Sequence, residues 1–229
     1  MSSAPWHLLD SGPCDHAFNM ALDEALLEAM PRLGQPVLRF YAWTEPAASF
    51  GYFQKYAEVE RLTPLRPLVR RPTAGGLVPH DADWTYSLAF PVNHEWYSLP
   101  ARESYLRVHQ WIRAAFAGFG VAAELAALAR RAGAGECFAG YEQSDVLCGG
   151  RKIAGAAQRR RRDGLLIQGS IQPLPSFPPR TAWQEAMCEV ARTEFGAYWT
   201  EFVPDVTLQA RATELARRKY SNRSWTQKR

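Results

Sequence analysis

The 229-residue sequence lacks the features of membrane and secreted proteins. It has no stretch approaching the ~18 consecutive apolar residues that a membrane-spanning helix requires. Its first six residues do not show a basic flank followed by an apolar run, so no secretion signal is visible. We therefore expect a cytoplasmic protein that does not enter the membrane.

Cysteine is also scarce, with four residues in the chain and no two of them spaced as CxxC. This spacing argues against a zinc site, and a disulfide framework is unusual in a cytosolic protein of this size. We therefore expect no metal site and at least one thiol that is available for chemistry. The four cysteines are Cys14, Cys137, Cys148 and Cys188.

Basic residues give the chain a formal net charge of +4, and they are concentrated in two runs. One run is the four arginines at 159–162, and the other lies in the tail at 211–229. Such runs suit an anionic partner, either an acidic protein or a nucleic acid. The tail carries no recognised nucleic-acid-binding motif, so we favour an acidic protein and consider a nucleic acid unlikely.

Apolar spacing near 3.6 residues predicts a first helix over residues 15–30. Asp15 is its candidate N-cap, and Pro31 is expected just beyond its end. The acidic residues of the segment are assigned to the face opposite the apolar one: Asp23, Glu24 and Glu28.

The remaining pattern predicts strands at 37–43, 68–71, 84–90, 145–148, 151–154 and 164–171, and helices at 102–119, 182–195 and 208–220. A charged hairpin tip is expected at 159–163. Strands and helices do not alternate regularly, so the sequence predicts an α+β fold with helices packed on a mostly antiparallel sheet. We expect one catalytic domain over 1–229, with a basic helical C-terminal tail from about 205.

Residues 70–81 form the first segment that suggests chemistry, because two arginines leave a strand and a turn of small residues follows. Small residues let backbone amides approach a ligand closely, and such amides favour carboxylate or phosphate oxygens. The alternative interpretation is an ordinary glycine turn with solvated arginines.

Residues 145–158 form the second segment that suggests chemistry, with Lys152 between a glycine turn and a short strand. A lysine in such a setting can direct its ammonium at a carbonyl or phosphate oxygen and stabilise developing negative charge. The alternative is a solvent-facing lysine beside a hairpin turn.

Together these segments resemble the lipoate-protein ligase A and octanoyltransferase family, which shares a catalytic domain with biotin protein ligases. Residues 70–81 match the family pattern RRxTGGGxVxHD, and residues 150–158 match GRKIxGSAQ. Residues 168–170 match the end of HQGS, and the resemblance covers roughly residues 6–172. The GRGR and KWPND signatures of biotin ligases do not occur here.

The resemblance implies a tunnel for an eight-carbon acyl chain, with the catalytic Lys152 at the carbonyl or phosphate end. It also implies that the loop at 73–78 borders the acyl and adenylate site and that Arg71 flanks this loop. His80 belongs to the same motif and has an equal alternative role in holding the loop. The implied substrate-binding residues are Arg71, Thr73, Gly75, Gly76, His80, Gly155 and Gln158.

Cys137 is the candidate nucleophile, because cysteine-dependent octanoyltransferases of this family carry a Cys-Phe pair shortly before the GRK motif. Cys137 and Phe138 stand there, fifteen positions before Lys152. A thiolate would take the acyl group as a thioester and pass it to a carrier-domain lysine, a reaction that requires no cofactor. The alternative for Cys137 is a small buried packing residue.

The implied partners are octanoyl-acyl-carrier protein and lipoyl-domain proteins, namely the glycine cleavage H protein or the E2 subunit of a 2-oxoacid dehydrogenase. Both classes are acidic, so the arginines at 159–162 are predicted to steer them, unless these arginines form a solvated hairpin tip. One alternative function is an ATP-dependent lipoate-protein ligase that uses ATP and Mg. Another is a non-catalytic acyl-binding relative, suggested by Ala74 and Pro79, which depart from the family pattern.

Overall fold

A computed structural model describes residues 4–130 and 140–228. The strands are β1 (Ala4–Cys14), β2 (Val37–Trp43), β3 (Ala47–Phe50), β4 (Leu68–Arg70), β5 (Val78–His80), β6 (Trp84–Phe90), β7 (Ala123–Leu125), β8 (Val146–Cys148), β9 (Arg151–Arg161), β10 (Gly164–Ile171) and β11 (Ala197–Glu201). The helices are α1 (His16–Leu33), α2 (Tyr56–Leu62), α3 (Glu95–Ser98), α4 (Ala101–Ala117), α5 (Arg180–Phe195), α6 (Val206–Leu215) and α7 (Arg223–Thr226). A π-helical turn, Ala216–Tyr220, follows α6.

The strands form one eight-stranded sheet in the order β11-β1-β2-β6-β10-β9-β8-β7 and one small sheet in the order β4-β3-β5. In the large sheet, β1 runs parallel to β2 and β11, and the other neighbours are antiparallel. The predicted α+β fold with a mostly antiparallel sheet is therefore confirmed. Within the described residues, no helix is both long and apolar enough to cross a bilayer.

The large sheet carries an apolar layer on each face, because alternate residues of a strand point to opposite sides. On one face, Leu38 and Phe40 of β2 pack with the apolar sides of α4 and α5. On the other face, Val37 and Tyr41 pack with α1 and α6. Burial of each large apolar side chain stabilises the fold by about 1.5–3 kcal/mol, so both helix pairs are held by packing on the sheet.

Helix α1 begins as the sequence predicts, because the carboxylate of Asp15 accepts the N–H of Phe18 at 2.8 Å. The prediction that Pro31 lies beyond the helix is wrong. The helix continues through Pro31 and ends at Leu33, after which Gly34 adopts a left-handed φ of 66° and donates its N–H to the Met30 carbonyl. A glycine cap therefore ends this helix, and the proline does not.

The assignment of Asp23 and Glu24 to an outer face of α1 is also wrong, since both are buried. Asp23 accepts hydrogen bonds from Arg39 of β2 at 2.7 Å and from other side chains of the sheet. Glu24 accepts from Lys219 and Tyr220 in the C-terminal segment. A carboxylate can be buried when partners replace its water, and these partners are remote in sequence. Removing one partner of a buried ion pair typically lowers the free energy of unfolding by about 3–5 kcal/mol.

The predicted charged hairpin tip is shorter than expected, because β9 extends to Arg161 and the turn contains only Arg162 and Asp163. The side chain of Arg162 is 95% exposed. The other arginines of the run contact partners within the chain: Arg159 the carbonyl of Pro72, Arg160 the carbonyls of Tyr97 and Leu99, and Arg161 the carboxylate of Glu24. The four arginines therefore do not form one solvated tip, and their role in steering acidic partners stays a prediction.

The buried His109 of α4 should make the free energy of unfolding depend on pH. Burial lowers the pKa of His109 from its ordinary 6.5 to about 4, so the folded protein resists its protonation while the unfolded chain does not. The contribution of His109 to the free energy of unfolding is therefore fully present above pH 6.5. It decreases by about 3 kcal/mol in total as the pH falls to 4. We expect urea unfolding of a His109→Phe variant to lose less stability than the wild type between these pH values. An identical pH dependence in the two proteins would contradict this.

Candidate active site

A cavity of about 470 Å³ lies between the large sheet and the loop that joins β4 to β5. This volume is within the range of small-molecule sites. One wall comes from the neighbouring strands β9 and β10, and the opposite wall comes from the loop and the small sheet. Its lining includes Met20, Tyr41, Ser49, Arg71, Gly75, Gly76, Leu77, His80, Lys152, Gly155, Ala157 and Gln168. Most of the residues predicted to form a site are therefore brought together.

Arg71 shapes the loop. Its buried guanidinium donates to the hydroxyl of Ser49 at 2.8 Å and to the carbonyls of Ala74 and Gly76 at 3.1 and 2.8 Å. Burial lowers the pKa of Arg71 to about 10, which leaves the side chain charged at neutral pH. Arg71 thus acts on the loop from inside, and its hydrogen bonds bind the backbone that lines the cavity.

Thr73 fixes the start of the loop to the large sheet. Its hydroxyl donates to the side-chain oxygen of Gln168 on β10 at 2.7 Å. The amide nitrogen of Gln168 in turn donates to Asp23 at 2.7 Å. Thr73 is fully buried and does not line the cavity, so its contribution is to anchor the loop.

The loop requires glycine where the backbone approaches its neighbours. Gly75 has a φ of +90°, and a Cβ on it would lie 3.3 Å from the Cβ of Ala157. A Cβ on Gly51 would lie 1.9 Å from the Gly75 carbonyl oxygen. Ala74 does not have a positive φ, and Pro79 lies on β5, an edge strand of the small sheet in the described part of the chain. Both departures from the family pattern are therefore compatible with this loop.

His80 has partners on both ring nitrogens. Its Nε2 is 2.6 Å from the hydroxyl of Ser49, and its Nδ1 is 2.8 Å from the carboxylate of Asp83. The ring also stacks on Trp43 at 3.8 Å between centroids. His80 lines the cavity, but these contacts favour the interpretation in which it holds the loop in place.

Lys152 lines the cavity, and its Nζ lies 2.6 Å from Oδ2 of the buried Asp145. Its side chain is 16% exposed. Gly155 leaves room for it, because a Cβ at Gly155 would lie 2.8 Å from this Nζ. The lysine is therefore held in the cavity wall, which excludes the solvent-facing alternative. Glycine is required at position 155 because any side chain there would clash with the side chain of Lys152.

Gln158 does not line the cavity. Its side chain donates to the carbonyl of Ala101 at 2.7 Å and accepts from the hydroxyl of Ser104 at 3.1 Å, both on α4. Gln158 shares a face of β9 with Ala154 and Ala156, which contact the core beneath α4. The alternation of the strand thus directs Gln158 away from the cavity, and its predicted substrate-binding role does not fit.

Asp145 and Tyr105 belong to the site but were not among the predicted site residues. Asp145 accepts a hydrogen bond from the Tyr105 hydroxyl and forms an ion pair with Lys152. The sequence signal was an acidic residue directly before an apolar strand, where burial of the charge requires a nearby cation. Tyr105 reaches Asp145 from α4, forty positions earlier, and local sequence gave no sign of this contact.

Cys137 lies outside the described residues, as does Phe138. The described residues on either side, Arg130 and Gly140, both line the cavity. Two backbone hydrogen bonds of 2.7 and 2.9 Å join Arg130 to Tyr141. The described residues that flank 131–139 therefore both lie at the cavity wall.

Two other cysteines have environments that disfavour a thiolate. Burial raises the pKa of the Cys188 thiol to about 12. Burial also raises the pKa of Cys14, although Arg39 partly opposes this. The thiolate is the reactive form, so both residues suit a structural role better than a catalytic one.

Comparison with known proteins agrees with this geometry. Residues 15–173 match the family model described as the lipoyl protein ligase A/B catalytic domain. Octanoyltransferase LipM of Moorella thermoacetica is 39% identical over 181 residues, which cover 75% of this chain and 66% of that protein. Octanoyltransferase LipM of Carboxydothermus hydrogenoformans is 38% identical over 174 residues, covering 72% and 64%. The chain thus matches just under two thirds of the length of these relatives.

Solved structures share the fold. Protein Ta0514 of T. acidophilum, determined with bound lipoic acid, has a TM-score of 0.78 at 20% identity, with 100% of both chains covered. A lipoate-protein ligase A bound with ATP has a TM-score of 0.76 at 19% identity, with 99% of both chains covered. At these identities the likeness concerns the fold alone. From the family match and the curated relatives, we conclude that this chain belongs to the lipoyl protein ligase A/B catalytic domain family.

Proposed function

We propose that the protein is a cytoplasmic acyltransferase that moves an octanoyl or lipoyl group from acyl-carrier protein to a lysine of a lipoyl domain, through a thioester on Cys137. The observation that carries the proposal is Lys152, a cation held in the wall of a cavity that also offers apolar side chains such as Leu77 and Val78. Relatives that are named octanoyltransferases support the same reaction.

The cavity suits an acyl chain with one polar end. The lining includes apolar and small side chains, among them Leu77, Val78 and Ala157. Apolar surface that leaves water here favours binding by about 25 cal/mol per Å². The proposal has the chain against these side chains and its carbonyl next to the ammonium of Lys152.

The proposed chemistry has two exchanges. The Cys137 thiolate attacks the octanoyl carbonyl of the donor thioester, and the donor sulfur leaves as a thiol after taking a proton. A neutral lysine amine of the lipoyl domain then attacks the new thioester, loses a proton, and forms an amide as the Cys137 thiolate leaves. In both exchanges an oxyanion develops on the carbonyl, and the Lys152 ammonium stabilises it.

The proposal includes two acidic partners, octanoyl-acyl-carrier protein and a lipoyl-domain protein such as the glycine cleavage H protein or a dehydrogenase E2. It includes no cofactor, because a thioester supplies the activated acyl group.

An ATP-dependent ligase is the alternative, and it would have to hold ATP and Mg²⁺ in the cavity. Phosphate groups are bound by several cationic or amide donors. Among the described residues that line the cavity, the lysine and arginines are Arg71, which donates to the carbonyls of its own loop, Lys152, which is paired with Asp145, and the exposed Arg130. Because the protein itself engages Arg71 and Lys152, we favour one uncharged chain with a carbonyl end over a triphosphate.

A transfer assay tests the function directly. The protein is mixed with octanoyl-acyl-carrier protein and an apo lipoyl domain, without ATP, and the mass of the domain is followed over time. We expect one octanoyl group per domain. Modification only from free octanoate with ATP would establish the ligase instead. Modification under neither condition, with octanoate still bound, would support the non-catalytic acyl-binding alternative.

The cavity lining predicts a change in chain-length preference. Ala157→Leu adds bulk to the cavity wall beside Gly75, so we expect it to shorten the space for the acyl chain by about two methylene groups. At about 0.8 kcal/mol each, the kcat/KM for octanoyl transfer relative to butanoyl transfer should fall roughly tenfold. Competition between the two donors measures this ratio by mass spectrometry.

The control for this variant is Ala210→Leu, which makes the same change at an exposed position of α6. This control should keep the wild-type ratio. An unchanged ratio in a folded Ala157→Leu protein would mean that the acyl chain does not pass Ala157.

A further inference from the structure

The environment of Lys152 contains a buried carboxylate that is oriented from three directions. Asp145 is fully buried, and its Oδ2 lies 2.6 Å from the Lys152 Nζ. The same oxygen accepts the backbone N–H of Glu142 at 2.7 Å. The other oxygen, Oδ1, accepts the hydroxyl of Tyr105. With both oxygens bonded, the carboxylate has little freedom to rotate or move.

Tyr105 is itself held in place and remains a hydrogen-bond donor. It comes from α4, and its ring packs edge-to-face on His109 at 4.2 Å between centroids. Burial raises the pKa of Tyr105, and the charge of Asp145 raises it further, so the hydroxyl keeps its proton at neutral pH. His109 is neutral at that pH and does not compete as a cation for the carboxylate.

The path of the lysine is constrained as well. The position of a Cβ at Gly155 would be 2.7 Å from the Lys152 Cε, and Oδ1 of Asp145 is 3.3 Å from that same position. The side chain of Lys152 therefore passes over the backbone of Gly155 to reach its partner. A lysine side chain ordinarily samples many rotamers, and this arrangement restricts it before any substrate binds.

We propose that Asp145 and Tyr105 are positioning residues, which hold the Lys152 ammonium at the point in the cavity wall where the oxyanion develops. This inference rests on the proposed acyl transfer. An ammonium fixed in advance stabilises the transition state without reorganisation, whereas a displacement of about 1 Å can cost about a hundredfold in rate. Tyr105 acts through Asp145, and Asp145 acts through Lys152, so neither touches the acyl group.

Two variants test the proposal through kinetics. Asp145→Asn keeps the size of the side chain but removes its charge, and we expect kcat to fall by about tenfold to a hundredfold with KM changed by less than about threefold. Tyr105→Phe removes one hydroxyl, keeps the packing, and should lower kcat by a smaller factor. Asp145→Glu is expected to recover part of the loss, because it restores the charge.

Matched controls separate positioning from general damage. Asp10→Asn and Tyr198→Phe make the same chemical changes at exposed sites on β1 and β11, away from the cavity. Both should keep the wild-type kcat. Thermal unfolding of every variant establishes that the compared proteins are folded.

A second measurement does not depend on activity. Brief acetylation with trace acetic anhydride, followed by peptide mass spectrometry, compares the labelling of Lys152 with that of Lys55, whose side chain is 69% exposed. We expect Lys152 to react slowly in the wild type and several-fold faster in Asp145→Asn, because the ammonium is no longer held by its counter-ion.

The two measurements together decide the inference. A folded Asp145→Asn protein with wild-type kcat overturns it, and so does one whose Lys152 labelling matches that of the wild type. If the wild type transfers no acyl group at all, the proposed function fails. The labelling then still decides whether Asp145 holds Lys152.

Discussion

The Cys137→Ala variant is expected to fold normally and to transfer octanoyl groups at least about 10⁴-fold more slowly than the wild type, the scale of losing a nucleophile. Both exchanges pass through the Cys137 sulfur, and alanine offers no atom to carry the acyl group. The cavity, the loop and Lys152 would remain, so acyl binding should persist. Initial rates with octanoyl-acyl-carrier protein and a lipoyl domain measure the first effect, and binding of a non-hydrolysable octanoyl analogue measures the second.

The other cysteines supply the controls for this experiment. Cys14→Ala, Cys148→Ala and Cys188→Ala remove the same thiol elsewhere and should retain transfer. Cys148 is the most demanding control, because it lies on β8, the strand next to Lys152. Transfer near the wild-type rate by Cys137→Ala would show that the thioester forms elsewhere or not at all.

Replacement of Lys152 by alanine is expected to slow both exchanges by about a hundredfold or more, the effect of losing one electrostatic contact to an oxyanion. The loss should fall mainly on kcat, because the ammonium interacts more strongly with the transition state than with the neutral carbonyl. Single-turnover measurements resolve the two exchanges, namely acylation of the enzyme and transfer to the lipoyl domain.

Lys55→Ala is the matched control, since Lys55 is an exposed lysine paired only with a neighbouring helix residue among the described contacts. Its kinetics should be those of the wild type. A Lys152→Ala variant with a raised KM and an unchanged kcat would mean that Lys152 binds the donor without stabilising the oxyanion.

Local patterns in the sequence predicted much of the fold. β2 and β6 were predicted with their observed bounds, and β10 was also found, because alternation and short apolar runs are local properties. The N-cap at Asp15 was recognisable for the same reason. β1 was not predicted, since its residues do not alternate clearly and it is stabilised by strands that are remote in sequence, including β11 at residues 197–201.

The predictions that proved wrong concern charged side chains that are buried or paired in the folded chain. Asp23 and Glu24 were assigned to an outer face because an acidic residue in a helix is usually solvated. Their partners come from 16 to 196 positions away, and no local rule identifies them. The run at 159–162 predicts a hairpin tip for a related reason, because the carbonyl and carboxylate partners of Arg159, Arg160 and Arg161 are recognisable only in the folded chain.

The candidate site was predicted in part. The motifs identified the loop and Lys152, since glycine turns and the lysine between them are visible in the sequence. They did not show that Arg71 binds the loop's own carbonyls or that Gln158 faces α4. The contacts of Arg71 depend on the folded path of the loop that follows β4. The direction of Gln158 depends on the face of β9 that it occupies, and the bulge between β8 and β9 makes that register difficult to predict.

The most direct test of the account is intact-protein mass spectrometry of the enzyme after brief mixing with octanoyl-acyl-carrier protein, without ATP or acceptor. The account predicts one octanoyl group on the enzyme, mapped to Cys137, removed by hydroxylamine and passed on when a lipoyl domain is added. An enzyme that stays unmodified, while a lipoyl domain is acylated only from free octanoate with ATP, would contradict the thioester mechanism and make Cys137 a packing residue.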